Sequence, residues 1–150
     1  MQVSKVEPYL FFEGRCAEAV EFYRRVLGAE VVMKLQYKDA PPMPEGAEGC
    51  GEGMPKPPLD AVMHCALRIG ETTILCSDGM ASGKPSFGGF SLSVVARDNA
   101  HAAQLFDALG SGGQVLQPLQ ETFFADRFGM VHDQFGLGWM ILAGQKHVGA

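Results

Sequence analysis

The sequence lacks the features that mark membrane, nucleic-acid-binding and zinc-ribbon proteins. No apolar run approaches the roughly 20 residues that a membrane-spanning helix needs. Lys and Arg are scattered without a basic run, and the net charge of -5 argues against non-specific binding to nucleic acid. The four cysteines form no CxxC pair, so a zinc site built on cysteine pairs is not expected.

The start of the chain and its length give two further expectations. The segment MQVSKVEPYL has no apolar stretch of the kind found in a secretory signal peptide. We therefore expect a cytoplasmic protein with free thiols. The 150 residues, 47% of them hydrophobic, predict one compact domain (1–150) with a sizeable core.

Hydrophobic periodicity predicts a strand, a helix and a second strand at the start of the chain. Residues 5–12 are rich in β-prone aromatics, although Pro8 suits an edge strand or its entry. Residues 16–27 carry apolar side chains at the i, i+3, i+4, i+7 spacing of an amphipathic helix, and Gly28 is placed to end it. Residues 30–37 predict the second strand.

A long irregular segment follows at residues 38–58. Its many prolines and glycines exclude a regular element. A loop of this length is either a surface loop or a functional segment. Its methionines and prolines leave open a second interpretation, a lid over an apolar pocket.

Residues 60–69 and 72–78 predict a β-hairpin around Gly70-Glu71, which suits a type II′ turn. This turn pairs positions that sum to 141: Ile69 with Thr72, Arg68 with Thr73, Cys65 with Cys76 and His64 with Ser77. Alternation then places His64 and Arg68 on a mixed face and leaves the other face apolar. We expect the two paired cysteines to stay reduced, because of the compartment and the flat hairpin geometry.

The second half of the chain repeats the same order of elements. It predicts a strand at 90–96, a helix at 99–109 capped by Asp98 or Asn99, and strands at 114–120, 123–133 and 139–143. A shift of 83 places the apolar positions of the first helix on those of the second and aligns the flanking strands. The pattern therefore indicates a duplicated βαβββ module.

Three segments carry a resemblance to a known family: YLFFEGRCAEAVEFYRRVLGAE (9–30), MHCALRIGETTILCSD (63–78) and FFADRFGMVHDQFGLGWMI (123–141). The D-x-F-G-x-x-W ending is the most specific part. The chain resembles the PhnB-like branch of the vicinal oxygen chelate superfamily, which includes glyoxalase I, bleomycin-resistance proteins and extradiol dioxygenases. The resemblance implies an α+β fold of tandem βαβββ modules, about 4–80 and 88–145, whose strands form a curved, open mixed sheet around a cavity. It also implies a homodimer.

In metal-dependent members of the superfamily, four positions facing the cavity supply His, Glu or Gln ligands. The resemblance places these positions at Pro8, around Cys76 and Ser77, at 91–93, and at Met140. None of these residues is His, Glu or Gln, so we expect no metal and no other cofactor. No phosphate loop or nucleophile elbow is present either, and no glycine-rich motif supports the methyltransferase label of this branch.

The remaining polar and aromatic residues suggest a ligand site. His64 could contact an anionic ligand, act as a general base, or form only a structural hydrogen bond. Arg127 could pair with Asp126 or reach a ligand carboxylate. The candidate ligand-binding residues are His64, Arg68, Ser77, Phe124, Arg127 and Met140. We expect Met140 to face the cavity and Trp139 to face the core, which gives a pocket that is apolar at one end and basic at the other.

The function predicted from these observations is metal-free binding of a small organic molecule. The alternative is a lyase, isomerase or dioxygenase of the vicinal oxygen chelate type, with an active site displaced towards His64. A structural or interaction role is the third possibility. Neither nucleic acid nor a membrane is an expected partner.

Overall fold

The computed structural model describes residues 1–41 and 57–147. The chain divides into two compact units, Met1–Lys84 and Pro85–Ala150, and each is described by itself. The expected modules 4–80 and 88–145 fall inside these units, and their grouping into one domain stays a prediction. The elements are β1 (Tyr9–Phe11), α1 (Cys16–Leu27), β2 (Glu30–Gln36), a 3-10 turn (Tyr37–Asp39), β3 (Val62–Ile69), β4 (Thr72–Ser77), β5 (Leu92–Val95), α2 (Asn99–Gly110), β6 (Gln114–Gln120), β7 (Ala125–His132) and β8 (Gly138–Gln145).

Within residues 1–41 and 57–147, each unit contains one α-helix and one four-stranded mixed sheet. The strand orders, β1-β4-β3-β2 and β5-β8-β7-β6, are the same topology repeated. In both sheets the first strand pairs parallel with the fourth, and the other pairs are antiparallel. The predicted α+β fold of tandem βαβββ modules is therefore confirmed.

The predicted shift of 83 holds for the first part of each unit. It carries Cys16–Leu27 onto Asn99–Gly110, the bounds of α2. It no longer holds at the third strand, because residues 37–61 precede β3 whereas only 121–124 precede β7. Most of that longer connection, residues 42–56, lies outside the described part of the chain. The two interpretations of this segment, a surface loop and a lid, therefore stay predictions.

The core of unit 1 lies between α1 and one face of its sheet. The apolar stripe of α1 buries Ala19, Phe22 and Tyr23, as the helical spacing predicts. Gly28 ends the helix in the left-handed conformation, at φ 66°, where glycine carries no steric penalty. The sheet contributes buried side chains to this face: Leu10, Cys65, Leu67 and Cys76.

Asp78 joins the start of α1 to the start of β3. Its Oδ1 accepts a hydrogen bond from the backbone N–H of Cys16 (2.8 Å), and its Oδ2 accepts one from that of Val62 (2.7 Å). Arg15, the residue at the N-cap, makes no side-chain capping bond. The buried carboxylate of Asp78 therefore supplies the cap from a distant part of the chain.

The hairpin and three of its four predicted pairs agree with the sequence prediction, whereas the fourth, His64 with Ser77, lies beyond the last pair of the ladder. Ile69 pairs with Thr72, and Cys65 pairs with Cys76. Gly70 has a positive φ of 60°, as the first central residue of a type II′ turn requires. The thiols of Cys16, Cys65 and Cys76 are free, which confirms the prediction that the paired cysteines are reduced.

Four strands, β1, β3, β5 and β7, begin later than the sequence predicts, and hydrogen bonding accounts for two of them. β1 begins at Tyr9 because Pro8 has no N–H to donate, although its carbonyl accepts a bond from Leu75 N (2.9 Å). β7 begins at Ala125 because the hydroxyl of Thr122 bonds the N–H groups of Phe124 and Ala125, which forms a turn there.

In unit 2, α2 packs on β7 and β8. Asp98 caps the helix by accepting a hydrogen bond from His101 N (2.7 Å), which settles the choice between Asp98 and Asn99. Across the described residues, every helix is too short or too polar to cross a membrane.

Candidate functional site

The sheet of unit 1 has two chemically different faces. Leu10, Cys76 and Cys65 lie opposite one another on adjacent strands and form one row across the sheet. This row points towards α1, since the Cys76 thiol contacts the Cys16 thiol of that helix at 3.7 Å. The neighbouring row, Tyr9, Leu75, Ala66 and Met33, therefore points the other way. We call the side away from α1 the far face.

Tyr9 and His64 form a hydrogen-bonded pair on the far face. The Tyr9 hydroxyl lies 3.0 Å from His64 Nδ1, and the ring centroids are 5.5 Å apart. Phe11 continues the cluster, with its ring centroid 4.9 Å from that of Tyr9. Tyr9 and Phe11 come from β1 and His64 comes from β3, so the pair spans β4 between them.

The Tyr9 bond leaves a single polar atom of His64, Nε2, for another group. Nε2 has no hydrogen-bond partner within residues 1–41 and 57–147. If the tyrosine hydroxyl donates to Nδ1, Nε2 carries the proton and is a donor. If Nδ1 donates to the hydroxyl, Nε2 is a basic acceptor.

Arg68 lies on the same face as His64, as predicted, but its charge is paired. Its guanidinium forms an ion pair with Glu30, the residue opposite it on β2. Both side chains are more than half exposed. The expected basic end of the site is therefore an ion pair with no net charge.

Ser77 lies at the end of β4, opposite Phe11 of β1. Although it is only 5% exposed, its Oγ already accepts a hydrogen bond from Gly79 N at 3.1 Å. The hydroxyl therefore supports the turn after β4.

In unit 2, Trp139 points towards the core, as predicted, whereas the cavity that Met140 was expected to face stays a prediction. The Cβ of an alanine at Gly129 would meet the Phe106 ring of α2, and Gly129 pairs with Ile141. Ile141 and Trp139 therefore face α2 and are buried, whereas Met140 alternates to the other side.

Phe124 and Arg127 lie on different sides of that sheet. Phe124 makes an edge contact with Phe128, and the ring centroids are 5.0 Å apart. Phe128 points to the same side of the sheet as Met140. Arg127 pairs with Ala143 and therefore points to the same side of the sheet as Trp139. Its guanidinium donates to the backbone carbonyl of Asp126 at 2.7 Å. Three of the candidate residues thus lie on the far face of unit 1. In unit 2, Phe124 and Met140 lie on one side of the sheet, and Arg127 lies on the other side.

The residues at the superfamily metal positions do not fit a metal ion. The side chain of Pro8 has no atom that could bind a metal ion. Pro8 also lies on the same side of the strand as Leu10, so the residues of β1 on the far face are Tyr9 and Phe11. The thioether of Met140 is a poor ligand for hard ions and for zinc. In the part of the chain that the structure describes, no three His, Cys, Asp or Glu side chains are arranged to hold a metal ion.

The buried thiols are poor nucleophiles. A hydrogen bond to Cys76, together with burial, raises the pKa of Cys65 far above its ordinary range. A hydrogen bond to Cys16 and burial raise the pKa of Cys76 in the same direction. At neutral pH both remain thiols, which lack the reactivity of thiolates.

Comparison with known proteins agrees with this geometry. A family model described as 3-demethylubiquinone-9 3-methyltransferase matches residues 4–142. The chain belongs to this family. The family description names an activity, which the match does not transfer to this chain.

Three known proteins are similar to this chain over nearly their whole length. The chain is 39% identical to Protein YjdN of Escherichia coli over 91% of this chain and 92% of the relative. The crystal structure of protein PA1353 from Pseudomonas aeruginosa is 34% identical, with a TM-score of 0.76 and coverage of 96% and 100%. The PhnB protein of Bacillus cereus, 23% identical with a TM-score of 0.73, covers 94% of this chain and 100% of its own.

More distant structures share the fold alone. FosX, a fosfomycin resistance protein from Listeria monocytogenes, is 10% identical with a TM-score of 0.62 and coverage of 97% and 96%. A glyoxalase-related enzyme from Fulvimarina pelagi is 16% identical with a TM-score of 0.59 and coverage of 95% and 89%. The predicted resemblance is therefore confirmed at the level of the family matched over residues 4–142 and of the shared fold.

His64 was predicted from the sequence as a site residue, whereas its partner, Tyr9, was not. The alternation of β1 separates Tyr9 from the buried Leu10, and that signal was available. The parallel pairing of β1 with β4, which brings Tyr9 within reach of β3, has no local sequence signal.

Proposed function

We propose that the chain binds a small organic molecule, without a metal ion, at the Tyr9–His64 pair on the far face of unit 1. The observation that carries the proposal is Nε2 of His64, a polar atom fixed in position by the Nδ1 bond and bordered by aromatic rings. A few placed polar groups within apolar surroundings are typical of small-molecule sites.

The exposed aromatic rings beside His64 support the same proposal. Tyr9 is 37% exposed and Phe11 is 52% exposed. A planar or apolar ligand would bury part of this surface and could stack on the rings. The proposal is metal-free because β1 carries none of the His, Glu or Gln ligands of the superfamily metal positions. The residues there are Pro8, Tyr9 and Phe11.

The Tyr9–His64 bond also favours a second function, a lyase, isomerase or dioxygenase with its active site displaced to His64. In the tautomer whose Nδ1 donates to Tyr9, Nε2 could take a proton from a bound substrate as a general base. Methyl transfer has less support, because neither strand-to-helix turn, 12–15 or 96–98, is a glycine-rich cofactor loop.

The proposed assembly is a homodimer working in the cytoplasm. The family resemblance supports the dimer, and the free thiols are in keeping with a reducing compartment. Light scattering at micromolar protein concentration tests the first part, because a monomer there would contradict it.

The binding proposal is tested by equilibrium titration of EDTA-treated protein with neutral aromatic probes such as 1-naphthamide and 1-naphthol. We expect saturable binding that His64→Ala weakens about tenfold, the effect of one lost hydrogen bond with its positioning. His147→Ala, at an exposed position near the end of the chain, is the matched control. Equal affinity of both variants, or binding only after a metal ion is added, would contradict the proposal.

A further inference from the structure

A groove of about 340 Å³ lies between α1 and the edge strand β2 of unit 1. Its walls are aliphatic, formed by Ala17 and Val20 of α1 with Val31 and Val62 of the sheet. Cys65 also lines the groove, and charged side chains stand at its rim: Glu21, Arg24 and Lys34. The volume is at the lower end of the range for small-molecule sites.

The groove is separate from the Tyr9–His64 pair because it lies on the opposite face of the sheet. Lys34 pairs with Cys65, whose row points towards α1, whereas Leu35 pairs with His64 on the far face. A register shift between Val31 and Met33 interrupts β2 beside the groove. The two sites can therefore be tested independently.

The rim of the groove carries an excess positive charge. Arg24 forms an ion pair with Glu21 at 2.8 Å, which offsets those two charges. Lys34 has no ion pair within the described residues 1–41 and 57–147. An ammonium beside an aliphatic groove complements an anion with an apolar body.

The second unit offers an internal comparison. The helix positions of α2 equivalent to Val20, Glu21 and Arg24 are occupied by Ala103, Gln104 and Asp107. In β2, Lys34 comes directly after Met33, where the register shift from Val31 ends. In β6 the residue directly after the corresponding shift, which ends at Gln117, is Pro118. The fold itself therefore does not require an aliphatic groove with a positive rim, and this combination is particular to unit 1.

We propose that the groove binds a small aliphatic carboxylate, with its chain along Val20, Val31 and Val62 and its carboxylate at Lys34. The aliphatic walls account for the body of the ligand, and the excess positive charge accounts for its sign. The ammonium can donate up to three hydrogen bonds to a carboxylate.

The probe is octanoate, titrated into the full chain and followed by two-dimensional ¹H–¹⁵N NMR. We expect saturable shifts at residues of α1 and β2, and weaker binding of hexanoate, by about fourfold for each methylene removed. Octanol should bind less tightly than octanoate, because it lacks the charge. Lys34→Gln should weaken octanoate about threefold to fivefold, as expected for one exposed ion pair, whereas Lys38→Gln should not.

Ala17→Trp provides a direct block of the groove. Ala17 is exposed on α1, so the larger side chain can occupy the groove while the buried stripe of the helix is unchanged. Ala100→Trp, at the equivalent exposed position of α2, is the matched control. Octanoate binding that is lost in the first variant and kept in the second supports the proposal. Absence of saturable binding, or equal binding by both variants, overturns it.

Discussion

Asp133 Oδ2 accepts a hydrogen bond from the indole N–H of Trp139 at 2.8 Å, and both residues are buried. The other carboxylate oxygen accepts from the backbone N–H groups of Phe135 and Leu137 at 2.9 and 3.1 Å. The aspartate and tryptophan of the D-x-F-G-x-x-W motif thus close the turn between β7 and β8. The last strand completes the core on its Trp139 side, whereas its other side presents Met140.

Asp133→Ala should destabilise the protein by about 3 kcal/mol, because it leaves buried N–H groups without an acceptor. Urea unfolding measures the change in the free energy of unfolding. Asp107→Ala, at an exposed position of α2, should change it by less than about 0.5 kcal/mol. Equal stabilities of the two variants would show that the Asp133 bonds contribute little.

The role of Asp133 illustrates what the sequence could predict. The motif was visible and supported the family, but Asp133, three residues before Gly136, was also consistent with an exposed turn. The three donors that surround it are brought together only when the turn closes. Asp78 presents the same difficulty, since an Asp-Gly pair predicts a turn, whereas its contacts come from Cys16 and Val62, distant in sequence.

Asp78→Ala should cost about 2 to 3 kcal/mol, because α1 loses its cap and β3 loses the acceptor for its first N–H group. The measurement is thermal or urea unfolding, with amide hydrogen exchange at Cys16 and Val62. Both amides should exchange faster than in the parent. Asp60→Ala serves as the control because that side chain is exposed. Unchanged exchange at both amides would contradict the capping role.

Gly113→Ala should destabilise unit 2 by more than about 2 kcal/mol. A Cβ at this position would lie against the carbonyl oxygen of His132 and within 2.7 Å of the Asp133 backbone, so the strands would have to separate. Gly88→Ala is the control, because a Cβ there has open space and the backbone φ is not positive. Equal effects in the two variants on the urea midpoint would refute the close approach.

Stability should fall as the pH rises above about 9, the ordinary pKa of a thiol. The folded pKa values of Cys65 and Cys76 are raised, so these thiols ionise in the unfolded chain before they ionise in the folded one. The unfolded state then binds fewer protons, and stability decreases by up to about 1.4 kcal/mol per pH unit for each thiol.

The alkaline loss is measured from urea unfolding between pH 8 and pH 10.5. The decrease in the free energy of unfolding per pH unit should be smaller in Cys65→Ala, since this variant lacks one of the two thiols with a raised pKa. A slope identical to that of the parent would show that other groups cause the loss. In a Cys50→Ser background, the remaining thiols should also resist a thiol reagent at pH 8 until the chain unfolds.

The fold was more predictable than the site. Element positions follow from local periodicity, and the hairpin register follows from Gly70 and Glu71, which are adjacent. The charge state of the site depends on Glu30, which neutralises Arg68 across the β2–β3 ladder, and no local pattern encodes that pairing. The order of strands that brings Tyr9 to His64 is likewise a property of the whole sheet.

The most direct test of metal-free binding at His64 is ¹⁵N NMR of histidine-labelled, EDTA-treated protein during titration with 1-naphthamide and 1-naphthol. The account predicts that the Nε2 resonance of His64 shifts in a saturable manner while those of His101 and His147 stay in place. The Nδ1 resonance should report the Tyr9 bond before the ligand is added and change in Tyr9→Phe. Binding that leaves the His64 resonances unmoved, or that requires an added metal ion, would contradict the central claim.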